Sequence, residues 1–185
     1  SYPAGACVFS SKDTFDKIGF VDEMFFAYHD DVDYGWRGLL LGIPSYYEPK
    51  IVIYHLSSPT LGWSKRKYFL LERNRWICLL TLYSTKTLIK LFPFLIIVEA
   101  GIFLFMISKG MGITKIRSFF SLIRLLPKIR RKYSEINTHR KNPDRKIINS
   151  FADDFVMPTF TTTRSTSSFT SFLFNRLSKA AKRAL

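Results

Sequence analysis

The chain has 185 residues, carries a formal net charge of +14 and is 47% hydrophobic, with 18 phenylalanines. That apolar share exceeds what a small soluble domain needs and implies a membrane. The basic excess does not mark a nucleic-acid binder, because zinc-finger spacing and aromatic RNA-binding motifs are both lacking and the basic residues interleave with long apolar stretches.

Charge divides the chain. Residues 1–60 hold 4 basic and 8 acidic side chains, a net of −4, and residues 61–185 hold 24 and 6, a net of +18. Cys7 and Cys78 belong to no motif, which fits a reducing cytoplasm. In chain order, residues 5–10 read as a strand and 12–19 as a short helix. Phe25 and Phe26 then lead into His29-Asp30-Asp31, and Val32, Trp36, Leu39 and Leu40 follow at helical spacing, so the carboxylates open a core-facing helix. At a helix N-terminus the free N–H groups and the dipole favour an ionised carboxylate, a position that suits a base. Taken alone, two aspartates there are a cap and a first-turn charge. A strand over residues 51–54 ends at His55, which lies 24 positions after Asp31. A calcium loop starting at Asp31 fails, because its positions 6 and 12 fall on Trp36 and Gly42 instead of glycine and glutamate.

The run from Gly19 through Phe25-Phe26-Ala27-Tyr28-His29-Asp30-Asp31-Val32-Asp33-Tyr34-Gly35-Trp36-Arg37, then Gly42 and Tyr47 to His55, resembles the second half of the catalytic domain of family 2 glycosyltransferases. The likeness is greatest to the rhamnosyl- and galactofuranosyl-transferring types and covers about residues 3–80. It implies an α/β fold, the C-terminal half of the GT-A fold of nucleotide-diphospho-sugar transferases, followed by membrane-associated helices. It also implies inverting transfer from a nucleotide-diphosphate sugar to a hydroxyl of a glycan or glycolipid, as in cell-envelope polysaccharide synthesis. Such a transfer needs a base for the acceptor proton and a divalent cation, Mn²⁺ or Mg²⁺, for the leaving diphosphate. By the same resemblance Asp31 is the catalytic base, Asp30, His29 and Trp36 bind the acceptor, and His55 is a metal ligand. Glu72-Arg73-Asn74-Arg75-Trp76 is similar to an arginine-bearing segment of these enzymes, so Arg73 and Arg75 either grip the diphosphate or form a solvated or ion-paired basic face. The donor-binding half with its Asp-x-Asp motif would precede residue 1, so the chain is expected to be a fragment that is inactive alone. The alternative is a non-catalytic, membrane-anchored binding or scaffolding relic of the same fold.

Beyond the motif, residues 65–83 form a helical run. Residues 91–107 read LFPFLIIVEAGIFLFMI, close to the ~20 needed to cross a bilayer, with Pro93 near the start and a costly Glu99 in the middle. A short spanning helix, a re-entrant or interfacial helix and a buried protein helix all remain open. Residues 113–132 put Ile116, Phe119, Phe120, Ile123 and Leu126 on one side and Lys115, Arg117, Arg124, Lys128, Arg130, Arg131 and Lys132 elsewhere, the pattern of a basic interfacial helix that Pro127 should kink. The rival reading packs this helix on the catalytic part. Lys/Arg density flanking the apolar segment assigns it to the cytoplasmic face of the membrane, as a membrane-associated or single-pass protein. Residues 159–171 are Ser/Thr-rich linker, and 172–185 suit a short basic amphipathic helix. The expected organisation is therefore 1–83, catalytic half; 84–136, membrane-associating helices; and 137–185, a polar, largely disordered tail.

Overall fold

The computed structural model describes residues 5–55, 62, 64–151 and 164–185. Among these residues, seven helices form: α1 (Lys12–Ile18), α2 (Asp30–Leu40), α3 (Lys65–Leu82), α4 (Thr85–Ser108), α5 (Gly112–His139), α6 (Asp144–Asn149) and α7 (Arg164–Ala184). Serine begins three of them. The side chains of Ser11, Ser64 and Ser84 accept the N–H groups of Thr14, Lys67 and Thr87, satisfying donors that a helix start leaves open.

α3 and α5 form the central pair and run parallel. Near one end Lys115 of α5 meets Glu72 of α3, and at the other Arg140 Nη2 donates to the Leu82 carbonyl at 2.6 Å. α4 returns antiparallel to α5, with Thr85 beside Tyr133 at its start and the Met111 N–H bonded to the Met106 carbonyl after the turn. The core joins Phe25, Trp36 and Leu40 to Ile77, Cys78 and Leu82 of α3, Leu122 and Ile129 of α5, and Ile147 and Ile148 of α6. Ile77 and Leu82 are fully buried, and burial of a side chain of that size contributes about 1.5–3 kcal/mol. Burial pushes the Cys78 thiol far above its ordinary value, so it acts as a small apolar side chain.

The expected α/β, GT-A-type fold is corrected by this architecture, in which the described residues contain no strand. Residues 5–10 and 51–54 are extended or irregular backbone. A strand persists through hydrogen bonds to a neighbouring strand, and the described residues offer none, so the β-branched run stays out in solvent with Val52 71% and Tyr54 99% exposed. α5 continues through Pro127, which sits on its exposed side. The segment expected to be a disordered tail holds α6, whose two isoleucines fill the core, and α7, which begins within the Ser/Thr-rich run. Asp144 opens α6 by accepting the Ser84 N–H at 2.8 Å and an Arg140 guanidinium N–H at 2.5 Å, so it ties α6 to the α3–α4 junction. Burial alone would raise this carboxyl, but those donors hold it below its usual range.

α4 is long and apolar enough to cross a membrane, with 24 residues, a mean hydropathy of 2.3 in its most apolar stretch and only 11% of that stretch buried. Glu99 does not face outward. It pairs with Arg75, and with Lys115 at 2.6 Å, while Glu72 accepts from Lys115 and from Arg75 at 3.1 Å. Two carboxylates and two cations close on each other, which offsets the cost of carrying a charge on an apolar helix.

Candidate active site

α2 begins at the end of a loop that the chain could not hold unaided. Phe26, Tyr28 and His29 adopt φ of 64°, 68° and 63°, the left-handed region, where each such non-glycine residue costs about 1–3 kcal/mol. α3 supplies the restraint. The buried Asn74 amide donates to the carbonyls of Phe25, Ala27 and Tyr28 at 3.0, 2.7 and 2.8 Å, and Arg73 donates to those of Met24 and Phe25, both at 3.0 Å. Phe25, fully buried between them, anchors the loop in the core.

The loop delivers His29, Asp30 and Asp31 to a cleft of about 410 Å³ lined by these residues, Gly5, Ala6, Tyr28, Val32, Leu71 and His55. Asp31 is held at both oxygens, with Oδ1 accepting the Val32 N–H at 2.8 Å and Oδ2 the Gly5 N–H at 3.0 Å. A carboxylate keeps further lone pairs beyond two such bonds, so a hydroxyl entering the cleft can still be met by Asp31. Gly5 permits the approach, since a Cβ on it would lie 3.2 Å from the Asp31 Cβ. Burial lowers the His29 imidazole below its ordinary value, a shift that neighbouring Asp31 partly opposes, and its Nδ1 is buried without a partner. A neutral ring follows at pH 7.

The structure thus brings four of the sequence-predicted residues, His29, Asp30, Asp31 and His55, to one cavity. Trp36 lies elsewhere, in the core against Tyr83 and Phe151 with ring centroids 4.8 and 5.1 Å away. Arg73 is committed to loop carbonyls and to Asn74, and Arg75 to Glu72 and Glu99. Arg73 thus bonds neutral acceptors where an acidic partner was the alternative expectation, whereas Arg75 is ion-paired, and the paired carboxylates raise Arg75 against the lowering effect of its burial. Among the described residues, no group of three His, Cys, Asp or Glu side chains is arranged to hold a metal ion. The cleft's own side chains do not form a metal cage.

Sequence reasoning missed the frame behind the cleft. Asp33, fully buried one turn into α2, pairs with Arg37 at 2.9 Å and with Lys132 at 2.9 Å, and Lys132 also reaches Asp22 at 2.7 Å. Lys132 lies over the Phe25 ring at 4.8 Å. One α5 cation therefore staples loop and α2 together. Burial would raise the Asp22 carboxyl, yet Lys132 holds it below its usual range. Only the Asp33–Arg37 spacing of four hints at this in the sequence.

The chain matches no protein-family model, no curated protein and no solved structure.

Proposed function

We propose that the chain is the base-bearing part of an inverting glycosyltransferase that moves a sugar from a nucleotide diphosphate to a glycan or glycolipid hydroxyl, working within a longer chain. One observation carries the reading: the adjacent Asp30 and Asp31 and His55, which lies 24 positions after Asp31, line one cleft next to a loop held in strained backbone. Strain of this kind persists where surrounding structure over-determines it, and it clusters at sites that must present side chains in fixed positions.

In this reading the acceptor hydroxyl enters between Asp30 and Asp31. Its oxygen bonds to the anomeric carbon from the face opposite the diphosphate, the bond from that carbon to the diphosphate oxygen breaks with its electron pair, and the Asp31 carboxylate takes the hydroxyl proton. Asp30 orients the hydroxyl, and neutral His29, which lines the same cleft, contacts the acceptor. A divalent cation, when bound, offsets charge on the leaving diphosphate. His55 would be one of its ligands. Membrane attachment through α4, on the cytoplasmic side given the flanking Lys/Arg density, places the cleft near lipid-borne acceptors.

A second reading, a membrane-anchored binding or scaffolding relic, draws support from Arg73 and Arg75, whose donors go to protein acceptors and not to the cleft. Incubating the full-length protein with labelled nucleotide-diphosphate sugars and a membrane glycolipid extract separates the two. Transfer with inverted anomeric configuration supports the enzyme; acceptor binding with no transfer from any donor supports the relic.

A further inference from the structure

α4 and the first half of α5 turn a joint apolar face outward, with Phe92, Ile96 and Phe103 exposed on one helix and Ile116, Phe120 and Ile123 on the other. On α5 the exposed cations Arg117, Arg124 and Lys128 run beside this stripe, so apolar and basic surfaces are adjacent along the helix. A face of that kind fits a leaflet containing anionic lipid: acyl chains meet the apolar stripe and headgroups meet the cations.

The ion network decides how α4 sits in that leaflet. At 1.5 Å per residue the helix is roughly 36 Å long, and Glu99 lies about 21 Å from its start. An upright α4 would carry Glu99 well into a hydrocarbon core of about 30 Å. Arg75 and Lys115, which pair with Glu99, would go with it. Arg75 adjoins Arg73 and Asn74, which hold the loop of the candidate site, so the cleft with Asp30 and Asp31 would descend too. Exposed Arg124, about 18 Å along α5, would also lie in hydrocarbon. Entry turn-first fares no better. With α3 parallel to α5 and Glu72 level with Lys115, the start of α3 with Lys65, Arg66 and Lys67 lies at about the depth of the α4–α5 turn, and the candidate-site loop, on whose Phe26 and Tyr28 rings Arg66 and Lys67 pack, would have to enter with it.

We infer that α4 and the first half of α5 lie flat in one leaflet as a monotopic hairpin, pinned to α3 by the Glu72–Lys115–Glu99–Arg75 network and facing anionic lipid. This rests on the membrane association proposed above and not on the transfer reaction. Lying flat keeps the network and the cleft above the hydrocarbon while the outward stripe enters it.

Lys86 and Lys109, both exposed, mark the two ends of α4, about 35 Å apart along the axis. Lys86→Cys and Lys109→Cys, each in a Cys7→Ser background with the buried Cys78 retained, are treated with a membrane-impermeant maleimide in sealed inverted vesicles from expressing cells. The flat hairpin predicts the same outcome for both sites, either labelling in sealed vesicles or protection until detergent is added. One site labelling in sealed vesicles and the other only after detergent overturns it, as does protein that stays in the supernatant. Purified protein should also bind vesicles of mixed phosphatidylglycerol and phosphatidylcholine at least about tenfold more tightly than phosphatidylcholine alone; equal binding overturns the assignment of anionic lipid. Neither readout involves sugar transfer, so this proposal and the enzymatic one can fail separately.

Discussion

Asn74→Ala should release the loop that presents His29, Asp30 and Asp31. The amide has two hydrogens for three carbonyls, those of Phe25, Ala27 and Tyr28, all within 3.0 Å. With the bond its Oδ1 accepts from Arg73 Nε at 3.0 Å, three hydrogen bonds' worth of stabilisation disappears, about 0.5–1.5 kcal/mol each, and a buried carbonyl left unpaired costs about 1–3 kcal/mol more. Relaxation of the left-handed residues returns part of this, so a net loss of about 2–4 kcal/mol is expected. For a chain of this size that lowers the midpoint of thermal unfolding by roughly 5–15 °C, readable by circular dichroism in detergent. Activity should fall beyond what stability explains, since the loop loses its fixed geometry before the core melts. An Asn74→Ala protein with an unchanged midpoint would refute the latch.

Three further outcomes follow from the same geometry. His55→Ala should weaken the dependence of transfer on Mn²⁺ and be partly rescued by excess metal; an unchanged metal titration would make His55 structural. Because burial lowers His29 in the folded chain, the unfolded chain binds more protons below the ordinary value of 6.5. Its contribution to stability is therefore complete above pH 6.5 and is lost as pH falls below it, and His29→Gln should flatten that part of the stability profile. Lys115→Met strands Glu72 and Glu99 around a single Arg75, a loss of about 3–5 kcal/mol. Adding Glu72→Gln should recover part of it in a double-mutant cycle, and strict additivity would show that the network is not coupled.

What could be read in the sequence was local. The spacing of Val32, Trp36, Leu39 and Leu40 forms α2, opening at the expected aspartates, and the run from Lys65 forms α3. Helix periodicity and serine caps are written in neighbouring residues, so these elements need no distant partner to be recognised. The strand expected over residues 51–54 failed for the opposite reason. A β-branched run states only that it fits a sheet, and a sheet is supplied by other residues. The cations were misjudged in the same way. Lys115 and Lys132 belong to a basic run that looks like a headgroup-facing cluster, yet each is buried on carboxylates 16 to 110 positions away. Asn74 carried no signal at all, because an asparagine on a helix becomes a loop clamp only through carbonyls 46 to 49 residues upstream. Asp30, Asp31 and His55 were singled out through the family resemblance, and that they line one cleft is set by the fold, which no local pattern states.

Asp31→Asn in the full-length protein bears most directly on the proposed reaction. The change removes the basic oxygen with little change in volume and leaves Asp30 and the loop in place. Loss of a general base slows transfer by about 10²–10⁴-fold, and binding of the nucleotide-diphosphate sugar, measured by calorimetry, should stay within about threefold of the parent. The midpoint of thermal unfolding reports separately on the loss of the Gly5 N–H contact. A folded Asp31→Asn protein that keeps more than about a tenth of parental turnover would contradict the assignment, because a residue that takes the acceptor proton cannot be spared so cheaply.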